Sequence, residues 1–409
     1  MILFSHPTGN ANVRAALEGI NDANLLQSFY TTIATYPGNT FDTISRFGPL
    51  SEFKRRAYPP ELEKLTHIRP WKELARVAAK KGNLNNLVTH EHGRLSVDAI
   101  YHDLDRHVAA SLTKEEPQAV YAYEDGALET FKAGAKLNMK CLYDLPIGYW
   151  RAARRLLREV VEERPEWAET IAGMKDSEAK LARKDEEIRR ADRIFVASSF
   201  TKTTLLDYPG ELPPVEVIPY GFPIPTTNRV YDTILNRPLR LLFVGGLSQR
   251  KGIAEMFEAV AALGKEVELT VVGAKPAGVT CTALDEALTK HRYIPSLPHG
   301  DILRLMREHD VFLFPSHFEG FGLVITEAMS QGTPVITTDR TAGPDLITHG
   351  RDGFLIPAGS AAALEQQIRE LIANPATVEK AGRAAIERAG RRPWEVYGRE
   401  LAGALNACL

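Results

Sequence analysis

The sequence predicts an α/β protein with two doubly wound domains that face each other across a cleft. The chain has 409 residues, which is too long for one ordinary hydrophobic core. Both halves alternate short apolar runs with helical stretches, a pattern typical of parallel strands covered on both faces. Pro, Gly, Thr and Asn cluster at residues 219–230 and interrupt this alternation. We therefore expect an N-terminal domain over residues 1–222 and a C-terminal domain over residues 223–391.

Each domain is predicted from its own series of strands and helices. The strands expected in the first half are MILFS, FYTTIATY, QAVYAY, MKCLYDLP, RIFVASS and VEVIPYG. Those expected in the second half are RLLFVGG, ELTVVG, VFLFPS, PVITTD and GFLIP. The helices expected between them are ANVRAALEGI, 148–164, 175–191, FTKTTLLDY, GIAEMFEAVAAL, GDILRLMREH, AAALEQQIRELIA and ATVEKAGRAAIERA. Ligands bind such sheets beyond the carboxyl ends of the strands, so both domains should direct these ends at the cleft.

Composition excludes several classes of protein. A formal net charge of −2 argues against a protein that coats nucleic acid. Three widely spaced cysteines without a C-x-x-C pair favour a reducing compartment over a disulfide framework or a zinc ribbon. The first residues lack a basic leader, and no segment has the roughly 18 apolar residues that a membrane span needs. We expect a cytoplasmic protein, with the inner membrane face as the alternative location.

The segment HFEGFGLVITEAMSQGTPVI, residues 317–336, is the strongest functional signal. It follows a predicted strand and places Glu319 and Glu327 eight positions apart, with Gly320 and Gly322 between them. A strand that leads through glycines into a helix leaves free backbone N–H groups, which bind phosphate well. Carboxylates beside them can accept hydrogen bonds from sugar hydroxyls. Phosphate and hydroxyls on one ligand suggest a nucleotide-sugar, whereas the alternative is an ordinary strand-to-helix turn.

Two further loops could contact the same ligand. In RLLFVGGLSQRKGIAEMF, a strand ends at Gly245 and Gly246, and Arg250 and Lys251 precede the next helix. Cations are unfavourable at a helix N-terminus, so a bound anion is a plausible reason for them, and a solvated basic turn is the alternative.

The loop after the first strand, SHPTGNANVR, offers Gly9 and His6 on the opposite wall of the cleft. Gly9 could equally be a simple turn residue. His90, His92, His102 and His107 crowd one region, but their spacing matches no standard metal site, so we predict structural or solvated roles for them.

These stretches resemble the family 4 retaining glycosyltransferases, which have the GT-B architecture of two facing Rossmann-like domains. The resemblance is densest over residues 191–357. It rests on ADRIFVASSFTKTTL, VIPYG, LLFVGGLSQRKG, ELTVVG, HRYIPSLPHGDILRLM and VFLFPSHFEGFGLVITEAMSQGTPVITTD, with two glutamates separated by seven residues. The terminal RPWEVYGREL resembles the last helix of the family, which implies that residues 392–409 pack back on the first domain.

The resemblance implies a role for each matching residue. Glu327 would bind the ribose hydroxyls, Glu319 a hydroxyl of the transferred sugar, and the backbone near Ile294 the base. Arg250 and Lys251 would neutralise the diphosphate leaving group. Gly9 would let the first loop approach the sugar phosphate. Sugar and phosphate oxygens would be held by the backbone N–H groups of Gly320, Phe321, Gly322, Leu323 and Val324.

The sequence departs from the family pattern at three positions. Gly246 stands where many members have an arginine, Tyr143 where many have a catalytic histidine, and the first loop has one glycine where many have two. Asp144, next to Tyr143, becomes a candidate for orienting the acceptor, with a purely structural role as the alternative. Since two cations face the leaving group, we expect no metal and no other cofactor.

We therefore predict a retaining hexosyltransferase that uses a nucleoside diphosphate sugar, UDP-sugar first and GDP-mannose second. The expected acceptor is a glycan, glycolipid or lipid-linked sugar in assembly of a cell-surface polysaccharide or lipopolysaccharide. Basic segments with Trp71 and Trp150, residues 52–81 and 148–160, suggest weak contact with an anionic membrane surface. The rivals are a glycogen synthase-like or sucrose synthase-like enzyme with a soluble acceptor, a non-catalytic nucleotide-sugar-binding protein, and an epimerase of this fold.

Overall fold

The computed structural model describes residues 1–45, 53–171, 176–232 and 237–409. Glu52 of the first basic segment and Lys175 of the second predicted long helix lie outside these residues. The strands of the described residues form two sheets. They are β1 (Ile2–Ser5), β2 (Leu26–Thr31), β3 (Thr66–Ile68), β4 (Ala119–Tyr123), β5 (Lys140–Leu145), β6 (Arg193–Val196), β7 (Val215–Val217), β8 (Leu239–Val244), β9 (Val267–Val272), β10 (Arg292–Ile294), β11 (Val311–Phe314), β12 (Val335–Thr338) and β13 (Phe354–Ile356).

Helices cover both faces of the two sheets. In chain order the α-helices of the described residues are α1 (Ala11–Asp22), α2 (Thr40–Ser45), α3 (Trp71–Lys81), α4 (Asn85–Val88), α5 (Val97–Glu115), α6 (Leu128–Lys136), α7 (Trp150–Glu163), α8 (Glu178–Arg190), α9 (Ser199–Thr204), α10 (Ile253–Leu263), α11 (Thr282–Leu288), α12 (His299–Glu308), α13 (Leu323–Ser330), α14 (Gly343–Leu346), α15 (Ala361–Ala373), α16 (Ala376–Arg391) and α17 (Trp394–Asn406). None of the helices described is both long enough and apolar enough to span a bilayer.

Both sheets are parallel and doubly wound, which confirms the predicted fold class. The first has the strand order β3-β2-β1-β4-β5-β6-β7 and the second β10-β9-β8-β11-β12-β13. Their runs were predicted as strands buried on both faces, and β1, β4, β11 and β12 are buried throughout. The strands β3 and β10 at the sheet edges were not predicted, because each has only three residues and little apolar character. In the sequence, residues 222 and 223 lie between β7, the last strand of the first sheet, and β8, the first strand of the second sheet to occur in the chain.

The last helix lies against the first. A Cβ atom added to Gly398 of α17 would come within 2.4 Å of the Ala15 carbonyl oxygen of α1, and Gly19 of α1 meets Gly398 just as closely. Only glycine allows two helix backbones to approach so far, so this pair of glycines lets α17 pack on the first domain. Tyr397 of α17 is buried there as well.

A short segment of the first half of the chain crosses to the second domain. We call this segment, residues 164–171, the strap; it follows α7 and contains one 3₁₀ turn, Pro165–Thr170. Trp167 is buried in the hydrophobic core of the second domain, where its ring stacks on Phe257 with centroids 5.9 Å apart. The Cys281 thiol donates to the Glu166 carbonyl oxygen at 3.3 Å. The strap therefore belongs to the second core although it precedes the boundary in sequence.

Candidate active site

The candidate site lies between the two sheets, where each changes its direction of winding. This change occurs between β1 and β4 in the first sheet and between β8 and β11 in the second. Loops diverge at such a point and leave a crevice beyond the strand ends. A cavity of about 310 Å³ occupies the crevice. Its lining comes from both sheets and from the connection between them: Asn10, Asn12, Pro146, Tyr220, Val244, Gly245, Gly246, Lys251, Phe314, Glu319, Phe321, Gly322, Leu323 and Val324.

Glu319 is the centre of the charged part of this cavity. Its Oε2 accepts a hydrogen bond from Arg250 Nη1 at 3.0 Å and a second one from Lys251 Nζ. The Lys251 ammonium also lies 4.7 Å from the ring centre of Phe314. Arg250 Nη1 also donates to the Phe318 carbonyl oxygen at 2.6 Å. Two cations and one carboxylate predicted to contact the same ligand therefore contact each other in the structure.

Burial and charge act in opposite directions on this group. Burial raises the pKa of Glu319, but Lys251 and Arg250 outweigh that effect, so the pKa lies below its usual value and the carboxyl stays ionised. Burial lowers the pKa of Lys251, and Glu319 only partly reverses this. The three charges of this cluster, of which Arg250 lies outside the cavity lining, leave a net positive charge of one, which suits a ligand with a diphosphate.

The loop before α13 supplies backbone donors. Within the described chain, the N–H groups of residues 320–324 donate to no protein acceptor. Gly322 has φ 88°, and a Cβ atom there would lie 2.8 Å from the Phe314 ring. Glycine is therefore required to turn the chain into the helix while its N–H groups face the cavity. The unpaired donors at the N-terminus of α13 are an anion-binding arrangement.

Glu327 lies one turn into α13, outside the residues that line the cavity. His299, at the start of α12, places its Nε2 3.1 Å from Glu327 Oε1. Burial raises the pKa of Glu327, and His299 partly opposes this. Ile294 ends β10, and its carbonyl oxygen accepts the Gly273 N–H at 3.0 Å. Ile294 also lies outside the cavity lining.

The glycine-rich loop also contacts the first domain. The Gly320 carbonyl oxygen accepts hydrogen bonds from Ser198 Oγ at 2.6 Å and Thr201 Oγ1 at 2.9 Å, at the start of α9. On its other side Gly320 packs against the backbone of Pro146, since a Cβ atom there would lie 2.3 Å from the Pro146 carbonyl oxygen. The loop thus spans the cleft and holds the two domains close at this point.

The strap supports the loop that carries the cations. The Thr170 hydroxyl accepts the Gln249 backbone N–H at 2.8 Å and donates to the Trp167 carbonyl oxygen at 2.7 Å. Gln249 is fully buried and directly precedes Arg250 and Lys251. A contact from the first half of the sequence therefore fixes the start of the cationic loop.

A second buried network lies behind that loop. Glu255 of α10 accepts two hydrogen bonds from Gln249 Nε2, at 2.8 and 3.1 Å, and lies 3.1 Å from His317 Nε2. Burial raises the pKa of Glu255, but His317 and Gln249 outweigh it and the pKa is lowered. Arg164 of the strap reaches Glu255 at 3.5 Å. The His317 N–H donates to the Arg250 carbonyl oxygen at 2.9 Å, which connects the network to the cations.

The remaining predicted residues of the first domain do not line the cavity. Gly9 lies in the loop before α1, where a Cβ atom would meet the Tyr58 hydroxyl. His6 is buried with its ring edge against Tyr123, and burial lowers its pKa to about 4, so it is neutral. Asp144 is 4% exposed and its carboxylate accepts a hydrogen bond from the Tyr121 hydroxyl.

Asp144 therefore lies inside the first domain rather than in the crevice. Burial raises its pKa to about 7. The reason is its position within β5, which is covered on both faces, whereas Pro146, just beyond the strand end, reaches the cavity. The neighbouring Tyr143 is also buried and donates to Glu187 at 3.2 Å.

Several residues of the site could not be recognised from the sequence. His299 at the start of α12 contacts Glu327, Thr170 of the strap supports the cationic loop, and Tyr220 lines the cavity from the domain connection. For His299, the available signal was its position directly before the predicted helix GDILRLMREH. Tyr220 packs on Phe321 with ring centres 4.7 Å apart, and its position in the PYG connection could have suggested a role at the cleft.

One group of possible metal ligands occurs in the described residues, and it lies apart from the cavity. It comprises His90, Glu91 and Asp176. Glu91 accepts hydrogen bonds from the backbone N–H and hydroxyl of Ser177. The Lys180 ammonium lies 3.3 Å from Asp176. These protein partners already satisfy the carboxylates, so the group has the features of an ion-pair cluster.

Comparison with known proteins shows which families and folds this chain resembles. Residues 228–388, which contain the cationic loop, the glycine-rich loop and both glutamates, match the family model of glycosyl transferases group 1. The whole chain has the fold of GT-B glycosyltransferases. It superposes over 100% of its length on 98% of sucrose-phosphate synthase from Thermosynechococcus elongatus, with a TM-score of 0.65 and 17% identity. It also superposes on Anabaena HepE in complex with UDP, with 99% of each chain covered, a TM-score of 0.64 and 17% identity.

Curated relatives match in sequence over part of the chain. A capsular polysaccharide biosynthesis glycosyltransferase, CapM of Staphylococcus aureus, is 32% identical over 160 residues, which cover 37% of this chain and 41% of CapM. A glycogen synthase of Mycobacterium tuberculosis is 29% identical over 154 residues, which cover 36% of this chain and 37% of that enzyme. The match thus spans about two fifths of the length of these relatives.

Proposed function

We propose that the protein is a retaining glycosyltransferase that moves a hexose from a nucleoside diphosphate sugar to a growing cell-surface glycan. The observation that carries this proposal is the cluster of Arg250, Lys251 and Glu319 beside the free N–H groups that precede α13, in the crevice between two sheets. The cluster provides cations and amides for a diphosphate and a carboxylate for a sugar hydroxyl. The match of residues 228–388 to group 1 glycosyl transferases supports it.

The preferred donor is a UDP-sugar, with GDP-mannose second. HepE, a neighbour in fold, has been crystallised with UDP and with UDP-glucose. A relative of 28% identity is a phosphatidyl-myo-inositol mannosyltransferase of Mycobacterium leprae. In the proposed complex the nucleotide lies along the second domain, with its ribose at Glu327 and its base near Ile294.

The contacts of Glu319 indicate how the donor would be received. In the structure the Glu319 carboxylate compensates Arg250 and Lys251. We expect the donor diphosphate to take over these two cations, because it offers more oxygens and more charge. Glu319 then becomes free to accept a hydrogen bond from the transferred sugar. Binding of the leaving group and orientation of the sugar would thus be coupled through one carboxylate.

The reaction needs no protein nucleophile and no metal in this proposal. The bond between the anomeric carbon and the diphosphate oxygen breaks, and the acceptor oxygen forms a bond to the same carbon on the same face. The acceptor proton moves to the departing phosphate oxygen. Arg250, Lys251 and the amides before α13 stabilise the negative charge that develops there. Retention of the anomeric configuration follows from attack on the face that the leaving group vacates.

Two rival functions make different predictions. A glycogen synthase-like enzyme, suggested by the Mycobacterium tuberculosis relative, would elongate a soluble glucan. A non-catalytic nucleotide-sugar-binding protein would bind the donor without turnover. We favour the cell-surface glycan because CapM and an amylovoran biosynthesis glycosyltransferase of Erwinia amylovora, at 32% and 31% identity, are glycosyltransferases of polysaccharide biosynthesis.

The test begins with thermal shifts in UDP, GDP, ADP and the corresponding sugar nucleotides. A ligand that binds only the folded state raises the melting temperature, by an amount that grows with its concentration over Kd. The nucleotide-sugar with the largest shift then serves as donor with bacterial polysaccharide and lipid extracts, and proton NMR measures the anomeric configuration of the product. A product with inverted configuration would refute retention. Absence of a shift with every nucleotide would refute the proposal as a whole.

We also propose that the protein works at the inner membrane face through the surface around Trp71. Trp71 begins α3 with 78% of its surface exposed, and the exposed Lys80 and Lys81 end the same helix. Trp150, in the other basic segment, instead donates to Asp185 at 2.6 Å. Cosedimentation with phosphatidylserine vesicles tests this surface, with phosphatidylcholine vesicles as the control. Equal binding by Trp71→Gln and the unchanged protein would contradict it.

A further inference from the structure

A second cavity opens in the first domain next to the crevice. It has a volume of about 270 Å³ and lies beyond the carboxyl ends of β4 and β5, where Glu124, Asp125 and Pro146 line it. Pro146 lines the crevice cavity as well, so the two cavities are neighbours. Pockets for drug-sized ligands measure roughly 300–1,000 Å³, so this smaller one suits a single sugar ring. We call it the acid pocket.

The backbone at the pocket holds an acidic side chain in an unusual position. Asp125 has φ 68°, in the left-handed region that residues other than glycine seldom adopt. Its Oδ1 is buried and, among the described residues, has no hydrogen-bond partner. Glu124 beside it is only 8% exposed. The Asp125 side chain lines the cavity with 21% of its surface exposed, so the accessible part of its carboxylate can accept a hydrogen bond from a ligand.

The lysines of the pocket are already neutralised by the protein. Lys180 Nζ lies 2.8 Å from Asp98, 3.3 Å from Asp176 and 3.7 Å from Asp125. Lys184 Nζ lies 3.3 Å from Glu124 and 3.7 Å from Asp125. Two ammonium groups thus face four carboxyl groups.

This balance opposes anions. Among the described residues that line the pocket, Lys180 and His90 already face protein carboxylates, so a phosphate or carboxylate that entered would meet Asp125 without an unpaired cation to compensate it. Burial raises the pKa of Glu124 to about 7, with Lys184 opposing this rise and Asp125 adding to it, so the negative charge that opposes anions near neutral pH comes mainly from the other carboxylates. Hydroxyl groups are suitable ligands, because they donate to carboxylates and carry no charge.

We propose that the acid pocket receives the acceptor as an unphosphorylated sugar unit, whose hydroxyls donate to Asp125 and Glu124. The proposal rests on the proposed function, since it assigns the second substrate of the same crevice. The two substrates are then separated by charge: the anionic donor meets the cations of the second domain, and the uncharged acceptor meets the carboxylates of the first. Because Pro146 lines both cavities, an acceptor in the acid pocket would lie next to the donor sugar.

The test measures release of the nucleoside diphosphate from the donor that gives the largest thermal shift. The acceptors are the methyl glycosides of glucose, galactose, mannose and N-acetylglucosamine, each paired with its 6-phosphate. We expect at least one neutral glycoside to accelerate release, with kcat/KM at least tenfold above that of its 6-phosphate. Equal or faster reaction of the phosphates overturns the proposal. So does the failure of every neutral glycoside to accelerate release while the nucleotide still shifts the melting temperature.

Asp125→Asn supplies the matched variant, because asparagine has the same shape and also tolerates the left-handed conformation. We expect Asp125→Asn to lower kcat/KM for the neutral glycoside about tenfold. The ratio of kcat/KM between the neutral glycoside and its 6-phosphate should therefore decrease. The donor-induced thermal shift should stay unchanged. Asp22→Asn, at the exposed end of α1 near the opposite edge of the sheet, should behave like the unchanged protein. An unaltered acceptor preference in Asp125→Asn refutes the acid pocket, whereas loss of all nucleotide shifts in the unchanged protein refutes the proposed function.

Discussion

Replacing Thr170 by valine tests whether the strap supports the cationic loop. Valine has nearly the shape of threonine, so the substitution removes the hydroxyl without creating a cavity. The Gln249 N–H then loses its acceptor at 2.8 Å, and it is fully buried, so water cannot replace the hydroxyl. A buried donor left without a partner costs about 1–3 kcal/mol. For a domain of 150–250 residues this corresponds to a fall in melting temperature of about 2–12 °C.

Calorimetry of three proteins decides the outcome: the unchanged chain, Thr170→Val and Thr170→Ser. Serine keeps the hydroxyl, so it should restore most of the stability that valine loses. Because Gln249 directly precedes Arg250 and Lys251, turnover at saturating donor should also fall in the valine variant and recover in the serine variant. A melting temperature within one degree of the unchanged protein for Thr170→Val would refute the reasoning.

Three further predictions follow from the charged groups. Lys251→Met should lower turnover about a hundredfold at saturating donor, because it removes a positive charge that stabilises the leaving diphosphate. EDTA should leave the activity of the unchanged protein intact, and a loss of activity that Mg²⁺ restores would contradict the role of the cations. Glu327→Gln should weaken nucleotide binding by about 1.5–3 kcal/mol, measured by calorimetric titration. Because the pKa of Glu327 is raised, the nucleotide affinity of the unchanged protein should begin to fall at a higher pH than an ordinary glutamate would cause, and the variant should lose this pH dependence. Burial raises the pKa of Asp144 to about 7, so the folded state binds this proton more tightly than the unfolded state. The free energy of unfolding should therefore fall by up to about 4 kcal/mol as the pH rises from 4 to 7, and denaturant titrations of Asp144→Asn should show a smaller dependence on pH.

The sequence predicted the parts of the site that depend on local chain geometry. Gly322 and the helix after it, and the cations before α10, follow strands whose apolar runs are unmistakable. In a parallel sheet these loops must lie at the same edge. Their proximity could therefore be predicted before any contact was known.

Contacts between distant segments were not predictable in the same way. Asp144 was expected in the cleft, yet a strand covered on both faces buries it, and the sequence does not reveal at which residue β5 ends. Trp167 carries no local signal that it packs in the core of the other domain. Asp125 needed both its backbone conformation and the positions of the two lysines to stand out. These features depend on tertiary packing, which short-range patterns do not encode.

The return of α17 to α1 has a consequence for synthesis in the cell. Domains generally fold in the order in which they leave the ribosome. Here the glycine contact between the first and last helices cannot form until residue 398 has emerged, so the domain that is translated first is completed last. During most of translation the surface of α1 that later packs against Gly398 of α17 remains uncovered. We expect nascent chains truncated before residue 394 to depend on chaperones, and the second domain to reach its final structure before the first.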